Sequence, residues 1–142
     1  MRSEASQRPA RYLTMDPDSQ LGEIALRTRR ILGASNGYAF LSYPRAAENY
    51  AIALSRELRR LGCGVWIDLE SLDKAGDIEA QVELAIRHAS AFILLQGESA
   101  AMSKWVSFEV GVARATLDPR TIIVRDLVKT QLFPRQATST AF

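Results

Sequence analysis

The sequence predicts an α/β protein in which helices flank a parallel β-sheet. From Tyr38 onward, short apolar runs alternate with amphipathic segments of helical period, which is typical of successive βαβ units. The chain has 142 residues, of which 47% are hydrophobic and 24% are charged, so it fits one globular core. We divide it into an N-terminal arm and helix, residues 1–36, and a sheet domain, residues 37–142.

One helix is predicted before the sheet. Residues 1–15 are polar and aperiodic, so we expect a loosely ordered arm there. Asp16 is an N-cap candidate, Pro17 suits the first helical position, and Gly33 closes the segment. The positions at helical spacing in between are Leu21, Ile24, Ala25, Thr28, Ile31 and Leu32.

Four strands are predicted from Tyr38 onward. They are YAFLSY (38–43), GVWID (64–68), AFILL (91–95) and TIIVR (121–125). Beyond Arg125 the apolar periodicity fades, so we expect the domain to be short at its C-terminus.

Three helices alternate with these strands. The first carries apolar positions from Ala47 to Leu61 and ends at Gly62. The second has Asp77 as its predicted N-cap, and the third follows Ser103, also a predicted N-cap. Asp118 and Pro119 end the third helix.

Composition excludes several classes of function. The net charge of +2 comes from basic residues that are not interleaved with aromatics, so we expect no nucleic-acid partner. No apolar run approaches the roughly 18 residues that span a bilayer, and the N-terminus lacks the apolar centre of a signal peptide. A single cysteine, Cys63, allows no intramolecular disulfide. We therefore expect a cytoplasmic protein without a membrane anchor.

Familiar catalytic motifs are missing from the sequence. The glycines at 62, 64 and 76 are too dispersed for a phosphate-binding loop. His88, the single histidine, has no cysteine or carboxylate at metal-ligand spacing, so we predict no metal site. There is no G-x-S-x-G elbow, so a serine hydrolase triad is not indicated.

Glu109 is the catalytic candidate, because it falls near the centre of an apolar helical face. At about 100° per residue, one continuous apolar arc surrounds it. The arc consists of Trp105, Val106, Phe108, Val110, Val112 and Ala113. An unpaired buried carboxylate is unfavourable, so its place there indicates a partner, a cleft or a catalytic role. The structural alternative is an ion pair with Arg45 or Arg114.

Ligands of open parallel sheets bind beyond the carboxyl ends of the strands. This rule selects Ser42 to Arg45 after the first strand, Asp68 to Asp77 after the second, Gln96 to Ser99 after the third, and the first turns of the Trp105 helix. A lone carboxylate there suits glycosidic cleavage, in which positive charge builds on the sugar as the bond to the leaving base breaks. A cationic base such as nicotinamidium leaves as a neutral molecule and needs no general acid.

Three blocks in order resemble Toll/interleukin-1 receptor (TIR) domains, particularly the bacterial NAD-cleaving ones. AFLSY (39–43) is similar to the first box of the family. GVWIDLESLDKAGD (64–77) is similar to the second strand and the BB loop, and SKWVSFE (103–109) resembles the W-x-x-x-E segment of the enzymatic members. The resemblance covers about residues 37–125 and implies a flavodoxin-like sheet.

For the enzymatic branch, the resemblance implies cleavage of NAD⁺ at the nicotinamide–ribose bond, giving nicotinamide and linear or cyclic ADP-ribose. By carry-over Glu109 is catalytic, while Ser42, Tyr43, Arg45 and Trp105 bind substrate. The corresponding BB-loop residues, expected in self-association, include Leu72, Lys74, Gly76 and Asp77. NAD⁺ is then the substrate, no cofactor is needed, and a homo-oligomer is expected. A role in bacterial immunity follows only by analogy.

The chain departs from the family pattern in three places. Tyr38 replaces the acidic residue usual before the first strand, and Ala75 stands where proline is common in the BB loop. The family usually adds a fifth strand and a last helix, for which few residues remain. We hypothesise that the helix from Pro17 to Leu32, or a partner chain, covers the sheet face that the last helix would cover.

Two other functions remain open at this point. A non-catalytic TIR module would recruit other TIR domains through its BB loop and helices, with no need for a carboxylate on the apolar arc. A nucleoside deoxyribosyltransferase-like enzyme would use a similar sheet and carboxylate on a different nucleoside, and base exchange on deoxynucleosides would identify it.

Overall fold

The computed structural model describes residues 17–68, 75–97 and 104–127, which form an α/β fold of flavodoxin-like type. The helices are α1 (Pro17–Leu32), α2 (Glu48–Arg60), α3 (Ile78–Arg87) and α4 (Lys104–Thr116). The strands are β1 (Tyr38–Ser42), β2 (Gly64–Trp66), β3 (Ala91–Gly97) and β4 (Ile122–Leu127). They pair in the order β2-β1-β3-β4, and every pair is parallel. The predicted α/β class with an extra N-terminal helix is confirmed.

Strand lengths differ from the sequence prediction where the pairing partner decides them. The second strand ends at Trp66 rather than Asp68, because β2 is an edge strand that pairs with β1 alone, over three residues. In contrast, β3 continues past its apolar run to Gly97, because its ladder with β4 extends to the Gly97–Leu127 pair. Hydrogen bonding to the neighbouring strand therefore sets these ends, and hydrophobicity does not.

Helix ends follow the predicted local signals. Gly33 adopts a φ of 60°, and its N–H donates to the Arg29 carbonyl at 3.0 Å, which ends α1 where expected. The Asp77 carboxylate accepts from the Ala80 N–H at 3.1 Å and caps α3 as predicted. Asp118 accepts from the Arg120 N–H and opens the short 3₁₀ helix Pro119–Thr121, two residues after α4 ends. The predicted caps Asp16 and Ser103 lie outside the described residues.

The helix α1 covers one face of the sheet together with α2. Ile24 and Ala25 are fully buried and Leu32 nearly so, in one core cluster with sheet residues such as Leu41 and Ile93. The helix from Pro17 to Leu32 therefore covers one sheet face, and that this is the face of the family's last helix stays a hypothesis. We call this side the α1–α2 face.

The helices α3 and α4 cover the opposite side, which we call the α3–α4 face. Phe40 lies at its centre, with its ring 4.8 Å from that of Trp66 and 5.5 Å from that of Phe92. Helix residues complete this second cluster, among them Val82, Ile86, Val106, Val110 and Ala113. Successive residues of a strand point to opposite faces of the sheet. Leu41 lies on the α1–α2 face, so Ser42 next to it faces the α3–α4 side.

Candidate functional site

Three chain segments meet where the strands end. Strand β1 ends at Ser42, and Asp68 follows β2 by one intervening residue. Because β1 and β2 are parallel neighbours, both residues lie at the carboxyl edge of the sheet. The first half of α4 packs against this edge and supplies Trp105 and, one turn later, Glu109.

Glu109 is buried, with 1% of its surface exposed. The Ser42 hydroxyl donates a hydrogen bond of 2.7 Å to Glu109 Oε1, which links β1 to α4. The other oxygen, Oε2, is also buried and has no hydrogen-bond partner among the described residues. The expected alternative of an ion pair with Arg45 or Arg114 is not supported, since both arginines are exposed and neither contributes to the pKa shift of Glu109.

The environment of Glu109 disfavours its ionised form. Burial is the largest cause, and it raises the pKa of Glu109 from 4.5 to about 8. The Ser42 hydroxyl opposes this rise, the negative charge of Asp68 adds to it, and the Trp105 ring N–H opposes it. At neutral pH the carboxyl group is therefore mostly protonated when no ligand is bound.

Trp105 connects a second carboxylate, that of Asp68, to the site. Its Nε1–H donates to Asp68 Oδ2 at 3.2 Å, and its ring packs on Phe108 with centroids 5.5 Å apart. The same N–H lowers the pKa of Glu109, but its hydrogen bond goes to Asp68, so Glu109 Oε2 stays unpartnered within the described chain. Burial raises the pKa of Asp68 as well, and the Trp105 hydrogen bond partly opposes that rise.

The arrangement favours a positively charged ligand. Two carboxyl groups each keep one buried oxygen, Glu109 Oε2 and Asp68 Oδ1, without a hydrogen-bond partner in the described part of the chain. A cation next to them would favour the ionised form of both, whereas an anion would be repelled. The indole between them offers an aromatic surface as well.

Only some of the predicted binding residues come together in the structure. Ser42 and Trp105 lie with Glu109, and substrate binding by these two residues stays a prediction. Tyr43 packs against the cluster of the α1–α2 face, on the other side of the sheet from the cluster that Trp105 packs against. Arg45 is exposed at the start of the short 3₁₀ helix Arg45–Ala47. Substrate binding by Tyr43 and Arg45 stays a prediction.

The predicted assembly loop is described in part. Leu72 and Lys74 lie outside the described residues, whereas Gly76 and Asp77 are exposed immediately before α3. Asp77 has a structural role there as the N-cap of α3. Its part in self-association stays a prediction.

Asp68 is the site residue that sequence reasoning did not single out. The rule of strand ends includes it, but sequence alone does not separate it from Asp73 and Asp77 in the same polar stretch. The signal that could have distinguished it is position, because Asp68 directly follows the apolar run of β2, where a carboxylate is half-buried.

A cleft of about 400 Å³ lies elsewhere, between α3 and α4. Its lining combines the exposed ion pair of Glu83 and Arg87 with Phe108, Val112 and small residues of α4. Neither Glu109 nor Asp68 contributes to this cleft. Its walls carry no unpaired charge that would explain a catalytic role.

The described ranges contain no candidate metal site and no candidate membrane span. No group of three or more His, Cys, Asp or Glu side chains there could hold a metal ion. None of the helices described is both long and apolar enough to cross a membrane.

Comparison with known proteins identifies one family. The family model described as a TIR domain matches residues 39–137, which is more than half of the chain. The match covers the elements from β1 to β4 except Tyr38, the first residue of β1, and it contains all four residues of the site, Ser42, Asp68, Trp105 and Glu109. A search of curated proteins returned no match.

Proposed function

Because the chain belongs to the TIR-domain family, we propose that it is an NAD⁺ glycohydrolase or cyclase. It would cleave the bond between nicotinamide and ribose and release nicotinamide with linear or cyclic ADP-ribose. The observation that supports this proposal most is the buried Glu109, whose Oε2 has no partner among the described residues. A module that only recruits other TIR domains would have no use for a carboxylate kept in that state.

The chemistry follows from charge. As the bond from ribose C1′ to the nicotinamide nitrogen breaks, its electron pair leaves with the base, which becomes neutral. Positive charge then builds on the ribose, and the Glu109 carboxylate stabilises it. A water molecule attacks C1′ and loses a proton to give ADP-ribose, or an adenine nitrogen attacks C1′ to give the cyclic product.

Substrate binding prepares Glu109 for this role. The pKa of about 8 keeps the carboxyl protonated in the free protein. The nicotinamidium ring is a cation, and a cation close to a carboxyl group lowers its pKa. Binding of NAD⁺ therefore favours loss of the Glu109 proton, so the carboxylate forms where the positive charge develops. Ser42 orients the side chain by its hydrogen bond to Oε1.

We expect the activity to depend on assembly. In the family, BB loops contact neighbouring domains, and Gly76 and Asp77 of the corresponding loop are exposed here. A homo-oligomer would complete the site, so the specific activity should rise with protein concentration. A cytoplasmic setting, where NAD⁺ is available, and a role in bacterial immunity belong to the same proposal.

The test measures nicotinamide release from NAD⁺ by concentrated protein, with and without a crowding agent. Wild type is compared with Glu109→Gln, which keeps the shape of the side chain and removes its charge. We expect release by wild type and a reduction of about 10²–10³-fold in the variant, the size expected from removing one electrostatic stabiliser of a transition state. Glu79→Gln, which changes an exposed residue of α3, is the matched control and should keep wild-type activity.

Two results would contradict the proposal. Equal release by wild type and Glu109→Gln would remove Glu109 from the chemistry. No release under any assembly condition would favour the recruitment module. If the same samples instead exchange bases on 2′-deoxynucleosides, the protein would be a nucleoside deoxyribosyltransferase-like enzyme. A specific activity that stays constant over a wide dilution series would contradict the assembly requirement alone.

A further inference from the structure

Asp68 is a half-buried acid that the proposed reaction does not yet use. It follows β2, whose residue Trp66 pairs with Phe40 of β1, so Asp68 lies beside the end of β1 and its Ser42. Its Oδ2 accepts the Trp105 ring N–H at 3.2 Å. Its Oδ1 is buried without a hydrogen-bond partner among the described residues. Oδ2 therefore has a structural role in holding Trp105, whereas Oδ1 can still accept a hydrogen bond from a ligand.

The groups that face Glu109 come from three elements. Strand β1 supplies the Ser42 hydroxyl, the segment after β2 supplies Asp68, and α4 itself supplies the Trp105 indole. Among the described residues, Asp68 is the side chain whose charge raises the pKa of Glu109. Lys104 and Arg45, the nearest basic residues in sequence to Trp105 and Ser42, are exposed. Two acids thus share one buried site with no basic group of the described chain between them.

We propose that Asp68 is a positioning and specificity residue of this site, which holds the Trp105 indole by its ring N–H and adds a second negative charge that selects a cationic nicotinamide ring. This proposal rests on the proposed function. The hydrogen bond fixes the plane of the aromatic ring on α4. The charge makes the site favour the oxidised, positively charged nicotinamide over neutral rings of the same shape.

The two contributions can be separated by substitution. Asp68→Asn keeps an oxygen that accepts from Trp105 and removes the charge. Asp68→Ala removes both, and Trp105→Phe removes the donor while keeping an aromatic ring. Asp126→Asn is the matched control, because Asp126 lies at the same sheet edge on β4, is exposed, and is bonded to Gln96 at 2.8 Å.

The first readout is the pH profile of kcat/KM for NAD⁺, which reports groups of the free enzyme. Removing the charge in Asp68→Asn should lower the pKa of Glu109, so the rise of activity with pH should shift by about one unit to lower pH. KM for NAD⁺ should increase about tenfold, since a nearby charge contributes binding energy of that order. Trp105→Phe should shift the profile to higher pH, because the indole N–H lowers the pKa of Glu109.

Comparison of the two Asp68 variants tests the positioning role. Asp68→Ala should show the same shift of the profile and, in addition, a lower kcat, because the Trp105 ring loses its acceptor. Asp68→Asn should restore most of that kcat. An unchanged profile in Asp68→Asn, or identical kcat values in the two variants, would overturn the proposal, as would an equal shift in Asp126→Asn.

A second measurement needs no substrate and separates this proposal from the proposed function. The free energy of unfolding is measured from pH 5 to pH 9 for wild type, Asp68→Asn, Glu109→Gln and the double variant. If Asp68 acts on Glu109, the effects of the two single changes do not add at high pH. Non-additivity together with no NAD⁺ cleavage would keep the carboxylate pair and overturn the NAD⁺ reaction. Additive effects would overturn the role of Asp68 even if NAD⁺ is cleaved.

Discussion

The two faces of the sheet treat buried polar groups in different ways. On the α1–α2 face, the Thr28 and Ser55 hydroxyls donate to the carbonyls of Ile24 and Ile52, each at 2.8 Å within its own helix. On the α3–α4 face, Glu109 receives one hydrogen bond from another element, and its second oxygen has no partner in the described chain.

This difference separates a polar group whose hydrogen bond is made within its own helix from one that keeps an oxygen open. A buried hydroxyl that bonds to its own helix has little influence on neighbouring elements, and its removal lowers stability by only about 1 kcal/mol. A buried carboxyl group with an open oxygen is unfavourable for folding, and carboxyl groups of this kind cluster at functional sites. The same sheet thus combines a face for stability with a face that gives up stability at its carboxyl edge.

The largest effect on stability is expected on the α1–α2 face. Ile24→Ala removes a fully buried side chain from the cluster that joins α1 to the sheet. We expect the free energy of unfolding to fall by about 2–5 kcal/mol, measured by chemical denaturation, while cleavage of NAD⁺ per folded molecule stays unchanged. Leu26→Ala, at a position of the same helix that is 51% exposed, should change stability by less than about 0.5 kcal/mol. Equal losses in both variants would contradict the role of α1 in the core.

Glu109 on the α3–α4 face should make the free energy of unfolding depend on pH. The pKa of Glu109 is raised from 4.5 to about 8, so the folded state binds a proton that the unfolded chain has lost. Its contribution is complete below about pH 4.5 and is lost as the pH rises to about 8, with a total on the order of a few kcal/mol.

Glu109→Gln should remove most of this slope and be more stable than wild type above pH 8. Unfolding at pH 5, 7 and 9 measures the effect, and the raised pKa of Asp68 accounts for a remaining slope of the same sign. Glu79→Gln should keep the wild-type slope. A wild-type protein with no such slope would show that Glu109 is solvated or paired.

A pair of serine variants compares the faces directly. Ser42→Ala and Ser55→Ala each delete a buried hydroxyl that is 1% exposed, and each should lower stability by about 1 kcal/mol. Only Ser42→Ala should move the pH profile of NAD⁺ cleavage, toward higher pH, because its hydroxyl lowers the pKa of Glu109. The profile of Ser55→Ala is the control, and a shift of equal size there would remove the distinction between the faces.

The smallest effect is expected at the surface of the α1–α2 face. Glu23 of α1 pairs with Arg125 of β4, and their side chains are 48% and 22% exposed. Exposed ion pairs contribute about 0–1 kcal/mol and are screened by salt. Glu23→Gln should therefore lower stability by less than about 1 kcal/mol, and by less still at 1 M salt. A larger loss would mean that this pair, and not the apolar contacts of Ile24, attaches α1 to the sheet.

Sequence reasoning predicted the elements well, because periodicity and caps are local. The bounds of α1, the cap at Asp77 and the burial of Glu109 all follow from residues within a few positions of each other. The ends of β2 and β3 could not be predicted in the same way, because they depend on how far the neighbouring strand continues.

The site was predictable only in part for a similar reason. The position of Glu109 on an apolar arc marks it within a single helix, but its link to Ser42 joins residues 67 positions apart. The contact between Trp105 and Asp68 spans 37 positions. Tyr43 follows Ser42 in the sequence but packs against the cluster of the α1–α2 face, and its role in substrate binding stays a prediction.

The position of α1 has a consequence for how this unit can be moved between proteins. The stretch that shares ancestry with the family starts at residue 39, whereas the physical core starts at least as early as Leu21. Sequence relationship and folding unit therefore have different borders. A graft cut at the homology border would expose the apolar surface of Leu41 and Ile93, so a chimera that is to keep this face covered has to carry α1 along.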